Sequence, residues 1–200
     1  MLDIYLLRHG QTQWNADGNG YCGRTDISLT EKGHRQAQTV REHLESITFD
    51  AIYSSPLERA FVTARTSGGG KPVIKDERLI EVDFGKWEGK TKEQFIAEDP
   101  ETCERWMSDP LTARAGGTGE TGEEVIKRVD DFFDEILHEN KYSNILVVGH
   151  NGINRLYLAW KLGMDVKHYR RIHQENSSIT MFSLDEKGEL TLKLLNSKGV

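Results

Sequence analysis

The chain has 200 residues, enough for one domain with a substantial core, and its composition (36% hydrophobic, 29% charged) is that of an ordinary globular protein. A formal net charge of −6, with no run of Lys and Arg along one face, argues against a nucleic-acid scaffold, so any anion the chain handles must meet a local basic pocket. Cys22 and Cys103 stand in unlike contexts without CxxC spacing, which argues against a metal cluster or a disulfide framework. The short apolar run in MLDIYLLRHG fits neither a signal peptide nor a membrane span, so the expectation is a cytoplasmic protein without membrane or nucleic-acid partners.

In chain order, DIYLL (3–7) predicts a buried strand that stops abruptly at Arg8-His9-Gly10. After a polar loop, residues 29–46 predict a helix with Thr30 as N-cap and Ala37, Val40 and Leu44 on one side. FDAIYSS (49–55) predicts a second strand. SSPLERAFVTA then offers Ser55 as N-cap, Pro56 as the first helical residue and Glu58 completing a capping box. Gly68–Gly70 end that helix, and Val73–Ile74 predict a short third strand. Residues 84–120, with scattered aromatics and AGGTGETG, predict an excursion from the sheet. A long amphipathic helix returns at 122–140, with Val125, Val129, Phe132, Phe133 and Ile136 on its apolar side. NILVVG (144–149) predicts a strand, followed by a helix from about Ile153 to Leu162. The alternating segment SSITMFSLDEKGELTLKLL predicts a hairpin turning at Glu186–Gly188.

Strands alternating with helices imply an α/β fold. The expected architecture is a three-layer α/β/α sandwich with a mostly parallel central sheet and a C-terminal antiparallel hairpin, a single domain over 1–200 with 84–120 as an inserted cap. Ligands of such sheets bind beyond the carboxyl ends of the strands. At those ends stand Arg8 and His9, the segment Ser54–Pro56 with Arg59, and His150. Two histidines with two arginines fit a phosphate better than a metal. Zinc would want further ligands and be repelled by the guanidinium groups, whereas each planar guanidinium can hold two phosphate oxygens. A neutral imidazole can attack phosphorus if its other nitrogen is fixed by a hydrogen bond.

The stretches RHGQTQWN, SPLERAFVTA, LIEVDFGKWEG, GETGEEVIKRV and VVGHNGINR resemble, in order, the motifs of the histidine phosphatase superfamily, phosphoglycerate mutase-like branch. The resemblance runs from about residue 4 to 155. It implies that His9 is the nucleophile that becomes phosphohistidine, that Arg8 and Arg59 bind the transferred phosphoryl group, and that His150 donates a hydrogen bond to it. It implies Glu81 as the proton donor to the leaving oxygen and Asn15 as a phosphate-pocket side chain. It also implies a small phosphorylated metabolite as substrate, with no metal and no cofactor. Burial beside Phe84 and Trp87 is expected to raise the Glu81 pKa, and Glu77 and Glu88 are its rivals by proximity.

The chain departs from that pattern in ADGNGYCG. One residue is added before Gly23, and Cys22 falls where relatives often carry Ser or Gln, so phosphate contact there is expected from the backbone N–H groups of Cys22 and Gly23. Asn151 replaces a common glycine and puts an amide near the mouth. Trp87, Phe95 and Trp106 are expected in local core, and His34, His43, His138, His168 and His173 at the surface. Arg24, Arg105 and Arg114 are expected to be exposed, although each could reach a second anionic group on the substrate. The resulting function is a phosphomonoesterase acting through a phosphohistidine. The alternatives are a cofactor-dependent phosphoglycerate mutase, for which the central insertion is short, and a non-catalytic phospho-ligand-binding protein.

Overall fold

The computed structural model describes residues 1–18 and 20–199. Asn19, in the loop with the added residue, and Val200, the last residue of the expected domain, lie outside the described residues. The first strand, β1 (Leu2–Arg8), buries side chains on both faces: Ile4 and Leu6 on one, Tyr5 and Leu7 on the other. A strand buried on both faces belongs at the centre of a covered sheet. The chain continues through α1 (Gln13–Ala16), α2 (Glu31–His43), β2 (Ala51–Ser54), α3 (Glu58–Ser67) and β3 (Ile74–Lys75). Helices α4 (Lys92–Glu98), α5 (Pro100–Ser108) and α6 (Gly122–Glu139) follow, then β4 (Asn144–Gly149), α7 (Asn151–Lys161), β5 (Ile179–Leu184) and β6 (Leu190–Ser197).

The six strands run in the order β3-β2-β4-β1-β5-β6. β1, β2, β3 and β4 are mutually parallel, and β5 joins β1 antiparallel and carries β6 as its hairpin partner. Helices α6 and α7 cover the face bearing Ile4, Leu6, Ile145 and Val147. α2 and α3 cover the face bearing Tyr5, Leu7, Leu146 and Val148. The three layers expected from the sequence are therefore present, with the antiparallel hairpin at one edge. Residues 84–120 hold α4, α5 and two 3-10 turns around an aromatic cluster. Trp87 stacks on Phe95 with ring centroids 4.6 Å apart, and Trp106 meets Trp87 edge-on. All three side chains are buried as core.

Two helix starts differ from the sequence expectation. α3 begins at Glu58 rather than Pro56 and has no side-chain cap from its own N-cap residue, Leu57. Ser55 Oγ accepts the Leu57 N–H (3.3 Å), while the Glu58 N–H donates to Asp26 (2.8 Å) and its carboxylate accepts the Ser28 hydroxyl. The cap is therefore supplied by the distant loop, which local sequence could not show. α7 begins at Asn151, immediately after His150, because a remote carboxylate holds its first amides. Among the described residues no helix is long and apolar enough to cross a membrane.

Candidate active site

The parallel pairing of β1 with β4 sets Arg8 opposite Gly149, and the His9 N–H continues the ladder to the Gly149 carbonyl at 3.2 Å. The next residue on each strand is a histidine, and the rings of His9 and His150 lie 5.1 Å apart. His9 Nδ1 is 2.7 Å from the Gly10 carbonyl oxygen. A carbonyl only accepts, so Nδ1 carries the proton and Nε2 presents its lone pair. Gly10 is itself fixed by donating its N–H to Thr63 Oγ1 (3.0 Å), and a Cβ there would stand 2.6 Å from the Gly33 carbonyl oxygen. That close approach of α2 requires glycine after His9.

His9 (4% exposed) and His150 (0%) are both buried, and both have pKa values held well below the ordinary 6.5. Burial is the largest cause, with the Arg59 charge adding to it for both rings. Both rings are therefore neutral near pH 7. Neither nitrogen of His150 has a partner among the described residues. Arg59, also fully buried, donates to the Gly23 carbonyl (2.6 Å) and the Thr25 carbonyl (2.8 Å), and its Nε is unpartnered. Arg8 donates to the Gln174 carbonyl (2.9 Å), and its Nε is likewise buried without a partner. Burial lowers the Arg8 pKa to about 10, which leaves the group charged at neutral pH. Two cations and two neutral imidazoles thus share one buried site, a donor set suited to a phosphoryl group.

Glu81 is buried and accepts three backbone N–H groups: Val82 (2.9 Å) and Ile153 (3.0 Å) at Oε1, and Gly152 (3.0 Å) at Oε2. Two of these belong to the first turn of α7, so this carboxyl caps the helix that His150 introduces. The pKa of Glu81 is raised above the ordinary 4.5, because burial outweighs the amides and the Arg59 charge that favour the anion. The rival Glu88 is engaged elsewhere, accepting the Gly23 N–H (3.0 Å) and the Thr25 N–H (3.1 Å). That contact engages the Gly23 amide, expected from the sequence as a phosphate donor, with Glu88, while the Gly23 carbonyl holds Arg59.

Arg8, His9, Asn15, Cys22, Glu81 and Asn151 line one cavity of about 350 Å³. Asn15 Oδ1 accepts from the Thr12 N–H, the Thr12 hydroxyl and the Asn176 amide (each 3.1 Å), which leaves its –NH2 as the end that can meet an anion. Asn151 Oδ1 is buried without a partner. Burial pushes the Cys22 thiol up to about 11, so it is a neutral wall group and not a reactive thiolate. Arg24, Arg105 and Arg114 are exposed, and Arg24 and Arg114 are paired with Glu120 and Glu124 respectively.

The cavity also holds residues that sequence reasoning missed. Arg155, Tyr169, Arg170 and Gln174 line it together with Tyr21, and so does His173, which was expected only at the surface and is indeed exposed. Arg155 could have been found as the residue one helical turn after Asn151, on the same face of α7. Arg170 and Gln174 left no such signal. Among the described residues there is no group of three or more His, Cys, Asp or Glu placed to hold a metal ion.

Residues 4–198 match the family model described as histidine phosphatase superfamily (branch 1). The chain is 33% identical to phosphoserine phosphatase 1 of Hydrogenobacter thermophilus over 97% of this chain and 92% of that one. It is also 33% identical to the adenosylcobalamin/alpha-ribazole phosphatase of Escherichia coli, over 98% and 97%. Among solved structures, the phosphoserine phosphatase of Entamoeba histolytica in complex with phosphoserine superposes with a TM-score of 0.89 at 31% identity, covering 99% of this chain and 98% of that one. The alpha-ribazole phosphatase of Shigella flexneri gives 0.86 at 31% identity, covering 100% and 98%.

Proposed function

We infer the roles of the site residues from one premise: the chain belongs to the histidine phosphatase superfamily, branch 1, and is an enzyme that hydrolyses phosphate monoesters of small molecules. The relatives named above act, by their names, on phosphoserine and on alpha-ribazole phosphates. The monoester is what these substrates share, so the reaction transfers to this chain and the particular ester does not.

The observation that carries the assignment is the 2.7 Å contact between His9 Nδ1 and the Gly10 carbonyl, which fixes the tautomer with the lone pair on Nε2, in a ring 5.1 Å from that of His150 and within reach of the Arg59 and Arg8 charges. In the first step Nε2 attacks phosphorus, a P–N bond forms, and the P–O bond to the leaving alcohol breaks. Arg8 and Arg59 hold the equatorial oxygens, and His150 donates a ring N–H to one of them. Glu81, protonated beyond the usual carboxyl range, gives its proton to the leaving oxygen. In the second step its carboxylate takes a proton from water, the water oxygen bonds to phosphorus as the P–N bond breaks, its electron pair returns to His9 Nε2, and inorganic phosphate leaves. Asn15, Cys22 and Asn151 line the walls around the ester, and the 84–120 segment acts as a cap whose contribution to the cavity wall is Phe84. The two cysteines, neither in a disulfide, agree with a cytoplasmic location.

A phosphatase and a phosphoglycerate mutase share the first step and part at the second, where the mutase must keep water out. Phosphate release measured beside isomerisation of 3-phosphoglycerate separates them. Hydrolysis is expected to outrun isomerisation, and the reverse would replace the phosphatase reading with the mutase one.

A further inference from the structure

We propose that Arg155 and Arg170 form a second anion subsite in the active-site cavity, built to take the carboxylate of a phosphorylated carboxylic acid. The proposal rests on the phosphatase reading above and narrows its substrate class.

The subsite is organised around Tyr169, which is buried and whose hydroxyl accepts the Trp106 indole N–H at 3.2 Å. Its ring carries both guanidinium groups, Arg170 at 4.5 Å and Arg155 at 5.3 Å from the centroid. Its carbonyl accepts the Arg155 Nε–H at 3.3 Å, which orients that guanidinium and leaves its two terminal nitrogens for another acceptor. The Arg170 Nη1 atom is buried and has no partner among the described residues. Two like charges over one ring repel each other, and a buried N–H without an acceptor is costly, so the arrangement is completed by an anion between them.

Among the described residues no carboxylate hydrogen-bonds to or pairs with either guanidinium, and Glu81, whose charge is felt at Arg155, is held by backbone amides instead. Asp165 and Glu175, the acidic residues nearest in sequence to Arg170, pair with Lys167 (2.6 Å) and Lys198 (2.8 Å) respectively. Burial and the nearby Arg170 both pull the Arg155 guanidinium below its ordinary pKa, as expected for a cation awaiting its counter-charge. The subsite is close to the reacting end. The Arg155 charge is felt at Arg8, and Arg155 lies four residues beyond Asn151 on α7, roughly 6 Å along the helix axis. One small molecule in the 350 Å³ cavity can therefore reach both ends.

The two forked guanidinium groups match the coplanar oxygens of a carboxylate, and a second phosphate, which such groups also hold, is the competing anion that the test separates.

The matched pair D-3-phosphoglycerate and sn-glycerol 3-phosphate, which differ by a carboxylate in place of a hydroxymethyl group, tests the proposal. The unsubstituted enzyme is expected to prefer the acid by at least about tenfold in kcat/KM, mainly through KM, which amounts to roughly 1.4 kcal/mol of discrimination. In Arg155→Met and Arg170→Met that ratio is expected to fall to within about twofold, whereas a merely structural defect would lower both rates and leave the ratio unchanged. Equal use of the pair by the unsubstituted enzyme would overturn the proposal, as would a ratio that survives both substitutions. Preference for fructose 1,6-bisphosphate over the acid would overturn the carboxylate assignment. Calorimetric titration of the His9→Ala protein with the same pair reads the subsite without turnover. A chain that hydrolyses no ester yet binds the acid selectively would sink the phosphatase reading and keep the subsite.

Discussion

The carboxyl of Glu81 accepts the backbone N–H groups of Gly152 and Ile153, so the proposed proton donor is fixed by the first turn of the helix that begins after His150. These two hydrogen bonds align the acid with the second histidine and give α7 a direct hold on the loop that carries Glu81.

That hold makes Gly152 a sensitive position. A Cβ there would stand 2.6 Å from Glu81 Oε1 and 2.9 Å from Val82 Cγ2. Gly152→Ala is expected to push the carboxyl aside and lower kcat by about 10²-fold while the protein still folds. Glu81→Gln is expected to cost about 10²–10⁴-fold on alkyl phosphates, and clearly less on p-nitrophenyl phosphate, whose leaving group needs no proton. Steady-state kinetics on both ester classes checks the pattern. An equal loss on both would remove Glu81 from proton donation.

Arg128 supports Glu81 from the other side. Its guanidinium donates to the carbonyls of Arg78 (2.6 Å), Ile80 (2.7 Å) and Glu81 (3.3 Å) and pairs with Glu120. Arg128→Met is expected to lower kcat on the order of tenfold with little change in KM, because the acid loses its position and not its chemistry. Its pH profile should lose definition on the alkaline limb that Glu81 sets, whereas a global defect would scale the whole profile.

The mostly parallel sheet with its C-terminal hairpin, the helix faces and the placement of Arg8, His9, Arg59 and His150 at strand ends were legible in the sequence because each follows from a short-range pattern, a buried strand or an ordered motif. What stayed hidden depends on contacts between distant segments. The cap of α3 comes from Asp26, and the acceptor for the α7 amides comes from Glu81. The Gly23 amide, a phosphate donor by its position in the sequence, is engaged by Glu88, 65 residues away. Arg170 lies in a 3-10 turn with no periodic face, so nothing local announced that Tyr169 would bring it beside Arg155.

The buried histidines set a pH limit on stability. The folded pKa values of His9 and His150 lie below 6.5, so above 6.5 both states bind no proton and the stabilisation is complete. As pH falls below 6.5 the unfolded chain takes up protons first, and stability is lost toward the folded pKa. Glu81 acts oppositely: its raised pKa contributes stability below 4.5 that is lost as pH rises through the folded value. The Tm is expected to decline as pH falls from 6.5 to 5, and His150→Gln should make that decline shallower. An identical slope in the variant would contradict the buried neutral imidazole.

Cys22 lines the cavity as an uncharged thiol. Cys22→Ser is expected to change kcat/KM by no more than about threefold, and alkylation by iodoacetamide at pH 7.5 should be slower than for a free thiol of ordinary pKa. Rapid alkylation at neutral pH would show a thiolate in the wall and require a different electrostatic balance around Arg59.

The most direct test of the central claim is acid-free rapid quench of the enzyme with a 32P-labelled monoester, followed by mapping of the protein-bound label. The account predicts a phosphoramidate, stable to base and labile to acid, on His9. It also predicts that His9→Ala traps no label and loses about 10⁴-fold or more in kcat. Label on any other residue, or full turnover by the His9→Ala protein, would contradict it.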